Sequence, residues 1–264
     1  MNGICRLCGL EKPLCNSHIE PKSFYRRMRN GRPQCVVVDV SEKPRAIRTN
    51  ADYKQKLLCS DCEQFLSRNF ENDCTKLLVD TNKQLETCSS VIFTEFNYAQ
   101  FYLFVFTIIW RASVSTLKEY DGLKAFLDFE KYFRPCILYK TLSISSNDDQ
   151  IARLDDFIKL SIVKVIDHTQ AVPQSVLDNV IIRINQRITD SIDDGIHVYF
   201  MFNGFLVTAS LLLPGSKALK LWNAPGRLKP LRSIQKIPKQ TYFNIPLVHN
   251  AFSAIGKTDS PFKK

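Results

Sequence analysis

Two short stretches decide how this chain is read: Cys5-Arg6-Leu7-Cys8, and Leu58-Cys59-Ser60-Asp61-Cys62-Glu63. Each holds a cysteine pair separated by two residues. That spacing lets one tight turn aim both thiolates at one ion, and two such turns complete the tetrahedron that zinc prefers. The first pair runs into Gly9, as a knuckle requires. The second opens a stretch in which Phe65, Leu66, Phe70, Leu77 and Leu78 recur at helical spacing. Ser60 or Asp61 would cap that helix, and its first N–H groups would favour thiolate charge. Four buried or redox-active cysteines are the competing reading; two paired spacings in one short stretch favour zinc held by Cys5, Cys8, Cys59 and Cys62.

The remaining cysteines support a small stapled module. Of nine in the chain, seven lie between Cys5 and Cys74, and only Cys88 and Cys136 lie beyond. This asymmetry sets a zinc-binding module at residues 1–80 and a larger part at 81–264, the first small enough to need a metal. Cys15, Cys35 and Cys74 read as core packing. Between the two pairs, Cys35-Val-Val-Val-Asp-Val reads as a strand, with residues 44–48 as its hairpin partner.

Beyond residue 80 the pattern is first helical and then strand-rich. A helix over about 97–117 is apolar nearly all round and should be the buried centre of the larger part. Its longest apolar run, Phe101 to Trp110, is closed by Arg111 and is about half of what a bilayer span needs. A shorter helix is expected over 123–132, and strands over 137–145, 160–166 and 180–185. The clearest local signal is Asn203-Gly204 between two alternating apolar runs, 196–202 and 205–211, which marks a type I′ hairpin. The expected fold is α+β: a small zinc-stabilised treble-clef module, then a helical and antiparallel-sheet domain ending in a basic tail.

The 264 residues carry a formal charge of +10, which favours an anionic partner such as nucleic acid. No basic segment leads into an apolar run near Met1, so the protein is expected to be cytoplasmic, with no membrane and with thiols or metal ligands in place of disulfides. No glycine loop for phosphates and no Ser-His-Asp set is present. His168, His197 and His249 lack metal-ligand spacing.

The combination Cys5-x-x-Cys8, Ser17-His18-Ile19-x-Pro21 and Leu58-Cys59-x-x-Cys62-Glu63 resembles the HNH (ββα-metal) endonucleases in their zinc-stabilised form. The resemblance covers about seventy residues. It implies that His18 is a general base activating water against a phosphodiester, with Mg²⁺ or Mn²⁺ as catalytic metal. Where the family has a helix-borne His or Asn ligand, this chain offers Glu63, with Asn69, Glu71 and Asn72 further on. Glu63 and Glu71 would lie within about 80° of each other on a regular helix. The family's acidic residue or histidine before the base is Ser17 here, and only Gln55 could stand for its asparagine.

The layout, with Ile109-Trp110-Arg111-Ala112-Ser113 after the module, is similar to uncharacterised bacterial HNH-like proteins of phage-defence and mobile-element settings. The expected partner is nucleic acid, DNA favoured. Lys22, Arg26, Arg27, Arg29 and Arg32 would track its phosphates, and Phe24 or Tyr25 would stack on a base. The basic run from Arg227 to Lys239 reads as a solvated tail or a docking surface, and the C-terminal part could hold a protein partner. The alternative is a catalytically degenerate zinc module that binds nucleic acid or a protein.

Overall fold

The computed structural model describes residues 2–29, 35–39, 45–49, 53–145, 151–188, 195–213, 215–230 and 233–257. Strands β1 (Asn2–Ile4) and β2 (Glu11–His18) lead to helix α1 (Lys22–Arg29), then β3 (Cys35–Asp39), β4 (Arg45–Thr49) and β5 (Lys54–Cys59). One long helix comes next in three parts: α2 (Ser60–Leu66), a π-helical turn (Ser67–Glu71) and α3 (Asn72–Val79). After β6 (Gln84–Glu86) and β7 (Ser90–Phe93) come α4 (Tyr98–Val114), a 3₁₀ stretch (Lys118–Phe129) and α5 (Glu130–Tyr139). The rest comprises β8 (Ser143–Ser145), β9 (Ile151–Arg153), α6 (Leu154–Phe157), β10 (Ile158–Ile166), α7 (Gln174–Asp178), β11 (Val180–Ile188), β12 (Ile196–Phe202) and β13 (Phe205–Leu211). It closes with α8 (Lys217–Leu221), β14 (Gln235–Thr241) and α9 (Pro246–Lys257).

The architecture is mixed α+β. A small antiparallel sheet, β1-β2-β5, carries the cysteine pairs, and a nine-stranded sheet runs β4-β3-β11-β12-β13-β10-β14-β7-β6. The large sheet is not purely antiparallel: β10 pairs β14 in parallel, and so does β11 with β3. The hairpin expected inside the first eighty residues thus serves as the end of the large sheet, with Val36–Val38 seated against Val180–Ile182. These valines are buried on both faces, Val37 towards one core and Val36 and Val38 towards the other. A strand apolar on both faces needs a layer above and below, which a short module does not supply.

Asn203 and Gly204 both adopt left-handed φ angles, 49° and 69°, as the hairpin between β12 and β13 requires. Asn97 caps α4 by accepting from the Gln100 N–H at 3.0 Å. Every residue of α4 from Phe101 to Val114 is buried, and among the described residues no single helix is long and apolar enough to cross a membrane.

Two local expectations are corrected. The stretch 137–145 is helical as far as Tyr139 and extended only from Ser143. Phe133, Cys136 and Ile137 recur at three- and four-residue spacing and bury one face, with Phe133 edge-on to Phe106 at 4.5 Å. The helix expected over 123–132 is the 3₁₀ stretch running into α5.

Candidate metal centre and adjoining cleft

The metal centre is built from the knuckle upward. Gly9 adopts φ of 78° and donates its N–H to the Cys5 carbonyl at 2.8 Å, closing the turn. A Cβ there would meet Arg134 at 2.6 Å, and Arg134 donates through Nε to the Leu7 carbonyl. Arg6 pairs with Glu130 at 2.7 Å, so α5 holds the knuckle from outside. On the inner side, the Arg6 N–H donates to the Leu57 carbonyl at 3.1 Å, and the Cys59 N–H to the Cys5 sulfur at 3.3 Å.

The four sulfurs of Cys5, Cys8, Cys59 and Cys62 lie within 4.8 Å of one another, with Cys8 and Cys59 at 4.0 Å. A tetrahedron of sulfurs about 2.3 Å from zinc has edges of about 3.8 Å, so the group fits a closed structural ion. Burial works against ionising Cys5, yet the N–H groups of Cys8, Cys59 and Leu7 outweigh it and bring the thiol down to about 7. Burial and the neighbouring thiols push Cys62 upward. Four sulfurs this close repel as thiolates, and a divalent cation is what lets all four ionise. The helix cap is Cys59, with no side-chain cap bond; the N-terminus is occupied by a sulfur aimed at the cluster, and neither Ser60 nor Asp61 performs that task.

The segment Ser17–Pro21 leaves this frame with its residues sorted to different tasks. Ser17 is fully buried and its hydroxyl accepts from the Leu58 N–H at 3.0 Å, tying β2 to β5. His18 ends β2 opposite Lys54 and is half-buried. Glu20 is buried: its carboxylate accepts from the hydroxyls of Tyr25 and Tyr120 and, at 3.3 Å, from the Ile184 N–H of β11. Burial foremost, and then the Glu20 charge, hold both tyrosines well above their usual range, while Arg183 opposes the rise.

Arg111 is the residue that sequence reasoning missed. It is 1% exposed, donates to the His18 carbonyl at 3.0 Å and pairs with Glu71 at 2.6 Å. Its signal was present, since a cation inside an otherwise buried helix needs an acid and acceptors. The π-helical turn supplies the acid in the right direction. One extra residue in the turn brings Glu71 from about 80° to about 20° from Glu63 around the helix. Glu71, through Arg111, is therefore the acid brought to the His18 backbone.

Glu63 keeps one carboxylate oxygen, Oε1, buried with no hydrogen-bond partner. Asn69 is occupied on the Phe65 carbonyl and by Lys140. Gln55, the only candidate for the family's asparagine, spends its amide on Thr116, Ser115 and the Thr116 N–H.

A cleft of about 610 Å³ opens between α1 and the π-turn and α3. Lys22, Arg26 and Arg27 line one wall and Glu71, Asn72 and Lys76 the other, with Ser23 and Thr75 meeting at 3.3 Å. His18 and Glu63 do not line it. Arg29 closes α1, and Arg32 lies outside the described residues. Phe24 and Tyr25 cannot stack on a base: both are buried, and Phe24 stacks on Phe202 at 3.8 Å. The amphipathic period of α1 turns its aromatic face into the core and leaves its cations outside. Comparison with known proteins finds no matching family model, no matching curated protein and no matching solved structure.

Proposed function

We propose that this protein is an HNH-type, metal-dependent endonuclease acting on nucleic acid, DNA favoured, whose treble-clef zinc site is purely structural. The observation that carries the reading is the buried Arg111, which holds the end of the His18 strand and Glu71 together. An antiparallel pair leading directly into a helix, with a histidine at the strand end, is the arrangement a ββα nuclease needs.

In this reading His18 takes a proton from water as the water oxygen attacks phosphorus and the bond to the leaving oxygen breaks. Lys22, Arg26 and Arg27 hold the flanking phosphates. A bound Mg²⁺ or Mn²⁺ would stabilise charge on the leaving oxygen. The unpartnered Glu63 Oε1 is the carboxylate oxygen best suited to such an ion, since a buried oxygen without a donor calls for a cation. The four cysteines take no part in the chemistry, because a closed tetrahedron leaves no open position.

The test is plasmid nicking with Mg²⁺ or Mn²⁺, comparing the wild type with His18→Ala. The expected result is cleavage that falls at least a hundred-fold in the variant. Cleavage unchanged by His18→Ala removes the histidine from the mechanism. A bacterial defence role would follow only from activity against invading DNA in cells.

A second reading rests on Gln55. Its amide is spent on Ser115 and Thr116, so no amide on β5 is free to orient the base. That favours a catalytically degenerate zinc module that binds nucleic acid or a partner protein. It predicts binding that weakens steeply with salt and needs no free divalent metal, with no nicking under any condition.

A further inference from the structure

A second groove lies on the large sheet, away from α1. One part, about 790 Å³, lies between the start of α4, α6, β10 and the segment after α8; Tyr98, Lys159, Trp222 and Arg227 line it. The other part, about 1110 Å³, continues past Lys229 and Lys236. Arg227, Leu228, Pro230 and Ser233 line both, so the two are one continuous tract.

Its floor is fixed by backbone. The segment at Arg227 bridges Ser161 of β10, the Ile162 N–H donates to the Gly226 carbonyl, and the Leu228 N–H donates to the Leu160 carbonyl, both at 3.0 Å. Gly226 has φ of 72°, and a Cβ there would meet the Ile162 carbonyl oxygen at 1.9 Å. Only glycine lets the segment lie this close, and it sets where Arg227 stands.

The lining has a definite chemistry. The Arg227 guanidinium sits over the Trp222 ring at 5.5 Å, and Trp222 is half-buried, with part of its surface open. The acids of the tract are already occupied. Asp155 accepts from Tyr98 and Arg153, and Asp156 accepts from the Arg153 N–H. Lys159 donates to the Asp155 carbonyl at 2.6 Å. Among the described residues, no acid pairs with Arg227, Lys229 or Lys236. An aromatic face beside a guanidinium, continued by lysines with no acid partner there, matches a planar base continued by phosphates. Duplex DNA hides its base faces, so the matching form is unstacked.

We propose that this tract binds a short stretch of single-stranded nucleic acid, one base stacking at Trp222 and Arg227 and the adjoining phosphates lying along Lys229 and Lys236. This turns the basic run beyond Arg227 from a solvated tail into part of a built surface. The proposal does not depend on His18, and binding here would stand even if the chain cut nothing.

The test uses the full chain carrying Lys22→Ala, Arg26→Ala and Arg27→Ala, so that the α1 cleft does not contribute. The chain has two tryptophans, and Trp110 is fully buried in the core, so fluorescence quenching on titration reports Trp222. With a ten-residue oligothymidylate, no divalent metal and low salt, saturable quenching is expected. By anisotropy of a labelled oligonucleotide, Trp222→Leu should weaken binding roughly ten-fold or more, while Trp222→Phe retains most of it. Lys229→Ala with Lys236→Ala should make the salt dependence shallower. Circular dichroism checks that each variant is folded. Three outcomes overturn the proposal: no quenching, affinity unchanged by Trp222→Leu, or thymidine monophosphate binding as tightly as the oligonucleotide. The last would make the groove a small-nucleotide site. No nicking by the wild-type chain with Mg²⁺ or Mn²⁺, with groove binding retained, would overturn the nuclease reading alone.

Discussion

The cysteine cluster and the Ser17–Pro21 segment share the first sixty-two residues, yet they are held differently. The sulfurs of the cluster come from two short turns brought within 4.8 Å of one another, with Arg134 and Glu130 of α5 bracing the knuckle from outside. The histidine segment is held by residues far along the chain: Arg111 at a separation of 93, Tyr120 at 100 and Ile184 at 164. The contrast teaches that an ion held by the four cysteines would organise the knuckle and the helix start, whereas the larger part of the chain places His18. A four-cysteine module of this kind is not free-standing; its histidine segment is finished by the sheet and helices against which it packs.

The largest effect that tests this division is removal of the metal. Cys59→Ser or Cys62→Ser should reduce bound metal from about one ion per chain to none and melt the knuckle, since structural zinc supplies on the order of 10 kcal/mol. Cys74→Ser, at a buried thiol outside the cluster, should keep the ion. Elemental analysis with hydrogen exchange over residues 2–79 reads both. Unchanged protection in the metal-free variants would mean that the long-range anchors suffice and the division is wrong.

Next in size is Arg111→Met. Removing one partner strands Glu71 and the His18 carbonyl, with an expected loss of about 3–5 kcal/mol in urea unfolding. The metal content should not change. Arg111→Lys should not restore stability, because one ammonium cannot span two acceptors as a guanidinium fork does. Arg111→Met combined with Glu71→Leu should recover part of the loss, as no charge is then stranded. Loss of metal on Arg111→Met would tie the two regions together and erase the contrast.

The same division explains what could be read in the sequence. The cysteine spacing, the apolar helix expected over about 97–117 and found at Tyr98–Val114, and the Asn203-Gly204 hairpin are local patterns. The destination of the Val36–Val38 strand was not legible, because a strand apolar on both faces shows that it is sandwiched without showing between what. Nor was the π-turn, which leaves no strong mark in the residues yet redirects Glu71. Arg111 read as the end of an apolar run because its two partners are 40 and 93 residues away. Phe24 and Tyr25 read as stacking platforms because proximity to arginines in sequence does not say which face of α1 points inward.

The smallest effect, and the one that separates the two regions by pH, concerns the tyrosines. Tyr25 and Tyr120 donate to Glu20, and Tyr102 donates to the Leu154 and Ile158 carbonyls. All three are held well above the ordinary range, burial being the first cause in each. Below pH of about 10 the native and unfolded chains hold the same phenolic protons, and stability is insensitive to them. Above it the unfolded chain releases protons that the native chain keeps, so stability falls by about 1.4 kcal/mol per pH unit for each tyrosine. Urea midpoints between about pH 9 and 11 should therefore drop, and Tyr120→Phe should make that drop shallower by one group's share, Tyr98 and the buried thiols of Cys74 and Cys136 contributing in the same sense. Cysteines holding a metal would carry no protons in the native chain, so once the unfolded thiols ionise above about pH 8.5 they give no downward slope. A slope unaffected by Tyr120→Phe but abolished with the metal would assign the alkaline sensitivity to the cluster, and the histidine segment would lose its claim to a separate anchor.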